Sequence, residues 1–275
     1  MPSPREALNS FAAVVLTGGS SGIGKSFIGL IGSLNSDAVI CNLSRRPPAE
    51  KIFPNAEKKL NHFYCDLARP AEVEGAAAQV AAFLGRMVPA GRILLINNSG
   101  IGAFGAFAED DVAKQLAVID VNVRALVQLT GLLLPLLRVR GGAIVNIAST
   151  VAFQPTPFAA TYGASKSFVL HWTVALNEEL RGSGVSALAV CPGTTTTDFF
   201  RTAGLADKAW KTRLSMTTDQ VAEVAFRALA AGRAQVVPGW VNKLYTFAGS
   251  KLRKSHAARV AAAVLKRYRP EKGRS

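Results

Sequence analysis

The sequence predicts an α/β fold, a single domain in which a doubly wound parallel sheet of about seven strands carries helices on both faces. Three observations lead there. Short, β-rich apolar runs alternate with longer stretches of helical periodicity as far as about Pro238. Several runs are apolar at every position, the pattern of strands buried on both faces of a parallel sheet. Finally, 275 residues that are 49% hydrophobic and 18% charged suffice for one large core and are too apolar and varied for a disordered chain.

In chain order the expected strands are Ala12–Thr17, Ala38–Leu43, His62–Cys65, Arg92–Asn97, Ala143–Ala148, Ser186–Cys191 and Gln235–Val237. Between them Gly24–Leu34, Ala71–Leu84, Asp110–Leu137, Thr161–Arg181 and Asp219–Ala231 read as helices, and the repeated strand–helix–strand order implies right-handed crossovers. Residues 1–250 are expected to form the domain, with a loop at about 198–218. Residues 251–275 stand apart: nine Lys or Arg against Glu271 contribute +8 of the chain's +14. There Ala257, Val260, Ala261, Val264 and Leu265 fall at helical spacing, so a short amphipathic helix with a basic face precedes a frayed end. Its first reading is a solvated helix that caps the domain or packs on a neighbouring subunit. Weak contact with a membrane surface or a polyanion is the alternative.

The 32 Lys and Arg against 18 Asp and Glu favour anionic partners without choosing among them. Cys41, Cys65 and Cys191 are widely spaced and set among apolar residues, which offers neither a disulfide framework nor a CxxC metal site and fits a reducing, cytoplasmic setting. His62, His171 and His256 have no spacing that brings two onto one ion, so no metal is expected. Met1–Asn9 lacks the apolar run of an export signal. Ala125–Leu137, broken by Gln128, Thr130, Gly131 and Pro135, falls short of the ~20 apolar residues of a spanning helix.

Directly after the first strand, Thr17-Gly18-Gly19-Ser20-Ser21-Gly22-Ile23-Gly24 opens into a helix. Glycines there allow a tight turn and close backbone approach to a pyrophosphate, and the free N–H groups of the helix start stabilise its charge. Ser20 and Ser21 add hydroxyl donors. At the end of the second strand, where an acid would bind a ribose hydroxyl, the chain reads Ser44-Arg45-Arg46. A guanidinium at that position suits a 2′-phosphate, so the expected cofactor is NADP(H).

Ser149 follows the fifth strand, and Tyr162-Gly163-Ala164-Ser165-Lys166 begins a helix thirteen residues later. Four-residue spacing sets Tyr162 and Lys166 on one helix face. A nearby ammonium favours the phenolate, which would bring a tyrosine into acid–base range, and Ser149 would hydrogen-bond a developing oxyanion.

With these motifs on one chain, the sequence resembles the short-chain dehydrogenase/reductase family over about Phe11–Pro238. The matching pieces are the glycine cradle, Asn97-Asn98-Ser99-Gly100, Asn122, Ser149, Tyr162, Lys166 and Pro192-Gly193. The resemblance implies a Rossmann-type fold with Tyr162 as general acid or base, Lys166 lowering its pKa and binding the nicotinamide ribose, and Ser149 orienting the substrate oxygen. It implies that Asn122 holds a water linking Lys166 to solvent. It further implies that Asp66 and Leu67 contact adenine, that Asn98, Ser99 and Gly100 turn beside the adenosine ribose, and that Pro192, Gly193, Thr195 and Thr197 grip the carboxamide. Ser99 replaces the family's usual Ala, and Thr194–Thr197 is a run of four threonines.

The expected activity is NADPH-dependent interconversion of a carbonyl and a secondary alcohol. The alternative is a non-catalytic NADP(H)-binding module that docks through its basic tail. Substrate walls are expected from Phe104–Phe107, Val151–Phe158 and the loop from Asp198 to Met216. Phe104, Phe107, Phe153, Phe158, Phe199, Phe200 and Trp210 within them suggest an apolar small-molecule ketone, steroid-like or fatty. The family implies a homodimer or homotetramer built on Asp110–Leu137 and Thr161–Arg181; no specific nucleic acid is expected.

Overall fold

The computed structural model describes residues 3–35, 37–49, 52–54, 59–197, 199–203 and 215–266. Its seven strands are β1 (Phe11–Thr17), β2 (Val39–Ser44), β3 (Leu60–Tyr64), β4 (Arg92–Asn97), β5 (Gly142–Ile147), β6 (Val185–Val190) and β7 (Gln235–Val236). They form one sheet in the order β3-β2-β1-β4-β5-β6-β7, every neighbouring pair parallel. The chain winds outward in one direction from β1 and in the other from β4. The crevice therefore opens beyond the carboxyl ends of these two strands, at the switch point. Each expected strand is present, with ends shifted by a residue or two.

Ten helices accompany the sheet among the described residues: α1 (Pro4–Leu8), α2 (Gly22–Leu34), α3 (Pro70–Met87), α4 (Val112–Ile119), α5 (Ala125–Arg140), α6 (Ala160–Glu179), α7 (Phe199–Thr202), α8 (Thr218–Ala230), α9 (Trp240–Lys251) and α10 (Lys254–Lys266). One sheet face packs Leu8 of α1, Phe27 and Ile31 of α2 and Val221 and Phe226 of α8. Phe27 meets Phe226 edge-on, with centroids 5.3 Å apart. The other face packs Val80 of α3, Leu129, Leu133 and Leu137 of α5 and Leu176 of α6. Helices on both faces explain why the central strands show no polar alternation.

Three departures from the expected elements stand out. α1 was not foreseen, because five residues carry no readable period. Its signal is a capping box, in which Ser3 Oγ accepts from the Glu6 N–H at 3.2 Å and Glu6 Oε2 from the Ser3 N–H at 2.7 Å. The single helix expected over Asp110–Leu137 is instead α4 and α5 joined by a π turn, Asp120–Arg124. The wider turn is stabilised by Asn122, whose amide exchanges two 2.9 Å hydrogen bonds with the Ile101 backbone. Counted through that turn, Val112–Arg140 is 29 residues with an 18-residue stretch of mean hydropathy 1.5, long and apolar enough to cross a bilayer by length and composition, where Ala125–Leu137 alone was too short. Its Leu126, Leu129, Leu133 and Leu137 are buried against the sheet side, while Val112, Leu116, Leu132 and Val139 are exposed. Finally, the helix expected around Ala257–Leu265 is present as α10, but α9 before it was not foreseen.

Candidate active site

A cleft of about 1150 Å³ runs along the carboxyl ends of the strands. At one end lies the turn from β1 into α2. Gly18 and Gly22 adopt positive φ, 74° and 55°, which glycine tolerates without strain. A Cβ on Gly18 would stand 2.5 Å from Ser99 Oγ, so Ser99 fills the space that the glycine leaves. A Cβ on Gly24 would strike the Gly18 carbonyl oxygen at 2.2 Å. Gly24 therefore permits the helix to start against the loop rather than lining the cleft. Asn98 Nδ2 donates to the Thr17 and Gly18 carbonyls at 2.9 and 3.2 Å, while Thr17 Oγ1 accepts from the Asn98 and Ser99 N–H groups, both at 3.0 Å. Beneath the loop, buried Asn42 accepts from the Gly19 N–H at 2.8 Å.

This cradle fits a bound pyrophosphate. Ser21, which precedes α2, makes no side-chain cap, and the helix has no acid in its first turn. The first N–H groups of the helix thus lack intrahelical partners and favour an anion. Ser20, Ser21, Gly22 and Ile23 line the cleft. So do Ser44, Arg45 and Arg46, and Asp66 is the one carboxylate among the described lining residues. Ser44 Oγ is fixed by the Arg46 carbonyl at 2.6 Å and by Asn42 Nδ2 at 2.8 Å. Both arginine side chains are exposed, with no ion pair to a carboxylate among the described residues. Leu67 also lines the cleft; its carbonyl accepts from Arg124 at 2.9 Å, and Arg124 is itself braced by Asp120 and Gln128.

Midway along the cleft, Ser149 precedes a 3₁₀ turn, Thr150–Phe153, and Tyr162 and Lys166 stand one turn apart on α6. Tyr162 is 7% exposed, between Phe104 and Phe199 at centroid distances of 5.7 and 5.4 Å. Burial pushes its phenol up to about 12, and the hydrogen bond with Ser149 pulls the other way. The expected depression of the phenol by Lys166 is not what this packing produces. The Lys166 ammonium is turned to the Ile147 carbonyl, 2.7 Å away, and burial lowers the lysine itself to about 8. Asn122 does not line the cleft. It lies behind Gly100, donating to Ser165 Oγ at 3.0 Å, and Ser165 Oγ donates to the Tyr162 carbonyl at 2.8 Å.

Beyond the tyrosine lie Pro192, Gly193, Thr195 and Thr197. The Pro192 carbonyl accepts from the Thr150 N–H at 2.9 Å. Thr197 sits over the cradle, 3.3 Å from where a Gly22 Cβ would be. A parallel bridge between Thr195 and Met216 closes the base of the following loop.

The structure thus brings every expected site residue to one cleft except Gly24 and Asn122, which support it from behind. Phe104, Val151, Gln154, Thr156 and Phe199 form part of the expected substrate wall. Phe107, Phe153 and Phe158 do not line it. Phe107 is 62% exposed on its turn, Phe153 packs into the cluster around Leu126 and Val169, and Phe158 holds a positive φ of 62° while its carbonyl accepts from Gly105. Asp198, residues 204–214 with Trp210, the Phe200 side chain and residues 267–275 lie outside the described residues.

The far wall comes instead from Tyr245, Ala248, Leu252, Ala257, Val260, Ala261, Val264 and Leu265 of α9, α10 and the turn between them. These helices are keyed to the site by close approaches. The Asn242 side chain occupies the space that a Gly193 Cβ would need, Gln154 does the same at Gly249, and Lys254 donates to the Phe153 carbonyl at 3.3 Å. Gln154 also hydrogen-bonds the Tyr245 hydroxyl. The periodicity of Ala257–Leu265 marks an apolar face, but nothing in it says that the face turns to the cleft. Thr17, Asn42, Arg124 and Ser165 were likewise passed over as site-builders; only their place beside the motifs hints at the role.

A parallel sheet with a phosphate cradle at its switch point and a buried Ser–Tyr–Lys set beside it defines a nucleotide-dependent oxidoreductase. The short chain dehydrogenase family model matches residues 12–208, and the chain belongs to that family. It is 44% identical over 101 residues to the ketoacyl reductase HetN of Nostoc sp., covering 36% of this chain and only 35% of that protein. An uncharacterized oxidoreductase of Staphylococcus saprophyticus is 29% identical over 219 residues, 78% of this chain and 89% of its own. Among solved structures, a short-chain dehydrogenase from Sphingobium yanoikuyae in complex with NADPH superposes with a TM-score of 0.71 at 27% identity, covering 89% of this chain and 98% of that one.

Proposed function

We propose that the protein is an NADPH-dependent reductase of apolar ketones, able to run in reverse as an alcohol dehydrogenase, with Tyr162 as its general acid and base. One observation carries this reading: Tyr162 and Ser149 line a single cleft between the anion cradle and an apolar wall. The cofactor, when bound, supplies the hydride. The remaining work falls to the chain's own residues.

The start of α2 and the hydroxyls of Ser20 and Ser21 would hold the pyrophosphate, and Arg45 with Arg46 would hold the 2′-phosphate. Asn98, Ser99 and Gly100 shape the adenosine side, and Pro192, Gly193, Thr195 and Thr197 face the nicotinamide. Ser149 fixes the carbonyl oxygen, and Tyr162 donates its proton to that oxygen. A phenol near 12 is fully protonated at neutral pH, the form that reduction requires. Lys166, lowered to about 8, exchanges protons near neutrality and binds the ribose, with Asn122 connecting it to solvent through a water. The surrounding Phe104, Phe199, Val260 and Val264 select apolar substrates. Homo-oligomerisation through α4, α5 and α6, which expose Leu116, Ile119, Leu132 and Phe168, belongs to the same reading.

The test is NADPH consumption across a panel running from small charged carbonyls to long-chain and polycyclic ketones. The reading expects turnover to rise with apolar size and NADH to serve poorly. Turnover confined to small charged carbonyls would remove the substrate class. Tight NADPH binding without turnover on any member would instead favour a non-catalytic binding module.

A further inference from the structure

α9 has two unlike faces. Thr246 and Gly249 are buried against the domain, while Trp240, Leu244, Phe247 and Lys251 follow one another at spacings of four and three and, with Lys243 beside Leu244, are exposed. Trp240 is 76% exposed, and Leu244 and Phe247 are each 62% exposed, so three large apolar side chains form one unpartnered stripe. The stripe is bordered by cations, with the Lys251 ammonium 5.8 Å from the Phe247 ring centroid. Around the corner, Arg253, Lys254, Arg259 and Lys266 add charge along α10. No Asp or Glu occurs between Glu223 and Glu271, although Lys or Arg occurs at ten positions in that interval. A stripe of Trp, Phe and Leu flanked only by cations combines the two attractions that hold a helix in the plane of an anionic bilayer.

The same helices form the apolar lip of the cleft. Leu252, Val260 and Val264 line it while remaining 46%, 58% and 50% exposed. The exposed stripe and the cleft mouth are therefore neighbouring surfaces of one helical pair.

We infer that the exposed face of α9, with the cations of α10, docks on an anionic lipid bilayer and sets the mouth of the cleft at the lipid surface. A substrate dissolved in the bilayer would then reach the site without crossing water, which extends the reductase reading, while the docking itself requires no turnover. A nucleic acid or other soluble polyanion would need the cations but not the aromatic stripe. A second copy of this chain would bring like-charged faces together, since the stripe has no acidic complement among its described neighbours.

The experiment is co-sedimentation of the full chain with vesicles of phosphatidylcholine, with and without phosphatidylglycerol. It is repeated for the pairs Trp240→Ser with Phe247→Ser and Lys243→Glu with Lys251→Glu. None of these four residues lines the cleft, so thermal unfolding and NADPH binding should match the wild type and certify folding. The wild type should sediment with the anionic vesicles only and be released by salt. Each pair should weaken partitioning by roughly tenfold or more. A wild type left in the supernatant overturns the inference. So does aromatic-pair binding equal to wild type, which identifies a plain polyanion site, or a pair whose only effect is to dissociate an oligomer in light scattering. Because no substrate or turnover enters the measurement, failure here and failure of the reductase reading are separate results.

Discussion

The two ends of the cleft are built on different physics. At the cradle end the side chains that shape the site are tied to named partners: Asn98 to the Thr17 and Gly18 carbonyls, Asn42 to the Gly19 N–H, Asn122 to both sides of Ile101 and Lys166 to Ile147. These directed bonds fix the positions of the groups they hold, as proton and hydride chemistry requires. At the far end Ala257, Val260, Ala261 and Val264 offer only non-directional contact. That end sets how much apolar substrate is accepted and tolerates a change of shape that the first end would not. Substitutions at the two ends should therefore fail differently.

The sharpest contrast comes from Tyr162→Phe. It removes one oxygen from the directed end and keeps the ring between Phe104 and Phe199. Turnover with any accepted ketone should fall by at least about 10³-fold, the upper range for loss of a positioned acid–base group. NADPH affinity, measured by fluorescence titration, should stay where it was. Activity near that of the wild type would dissolve the distinction between the ends. Gly24→Val should do the converse: a Cβ placed 2.2 Å from the Gly18 oxygen displaces the cradle. Cofactor affinity is expected to fall by about 100-fold, with a stability loss of about 1–3 kcal/mol in denaturant titrations. Arg45→Ala comes next. Losing a hydrogen bond to a charged group is worth about 1.5–3 kcal/mol, so NADPH should bind about 10- to 100-fold more weakly while NADH binding is unmoved. Equal weakening of both cofactors would place Arg45 outside the phosphate site.

The same contrast explains what was legible in the sequence. Directed chemistry demands particular residue types at particular offsets, so Gly18–Gly24, Ser149, Tyr162 and Lys166 could be read from the chain, as could the seven strands whose double burial leaves them uniformly apolar. The far end could not. Ala257, Val260, Ala261 and Val264 announce an amphipathic helix, but an apolar face seeks any apolar neighbour, and the one that it found depends on Gly193 and Gly249 admitting Asn242 and Gln154. The π turn was hidden for a related reason: its cause is a tertiary hydrogen bond from Asn122 to Ile101, not a local preference. The direction of the Tyr162 shift was misjudged because spacing on a helix brings Lys166 near without saying which atom its ammonium faces.

Ala261→Phe sharpens the comparison from the apolar side. A ring in place of a methyl group narrows the far end without touching the cradle, Ser149 or Tyr162. KM for long or polycyclic ketones should rise by about tenfold, a few methylenes' worth of lost burial, with kcat for short ketones unchanged. A uniform loss across chain lengths would show that α10 supports the chemistry as well as the substrate.

The smallest effect concerns stability. Burial lowers Lys166 from 10.5 to about 8 in the folded chain, so between those values the unfolded chain binds more protons and folding stability rises with pH. Below about 8 both states carry the charge, and the cost of burying it is present in full. Tyr162 acts in the opposite sense. Its phenol is raised from 10.0 to about 12, so the unfolded chain loses that proton first and stability falls as pH climbs past 10. The buried thiols, raised from 9.0 to between about 11 and about 12, begin the same decline nearer pH 9. Comparing the wild type with Lys166→Met cancels the contributions of Tyr162, Cys41 and Cys65 and leaves the lysine with its coupling to Cys191. The methionine variant should be the more stable at neutral pH, and its advantage should shrink by about 1 kcal/mol per pH unit in urea titrations stepped from about pH 8 to about pH 10. Ala261→Phe should show no such trend against the wild type. A pH-independent difference for Lys166→Met would mean that the ammonium is solvated in the cleft, and the directed end would then lack the buried charge that sets it apart from the apolar end.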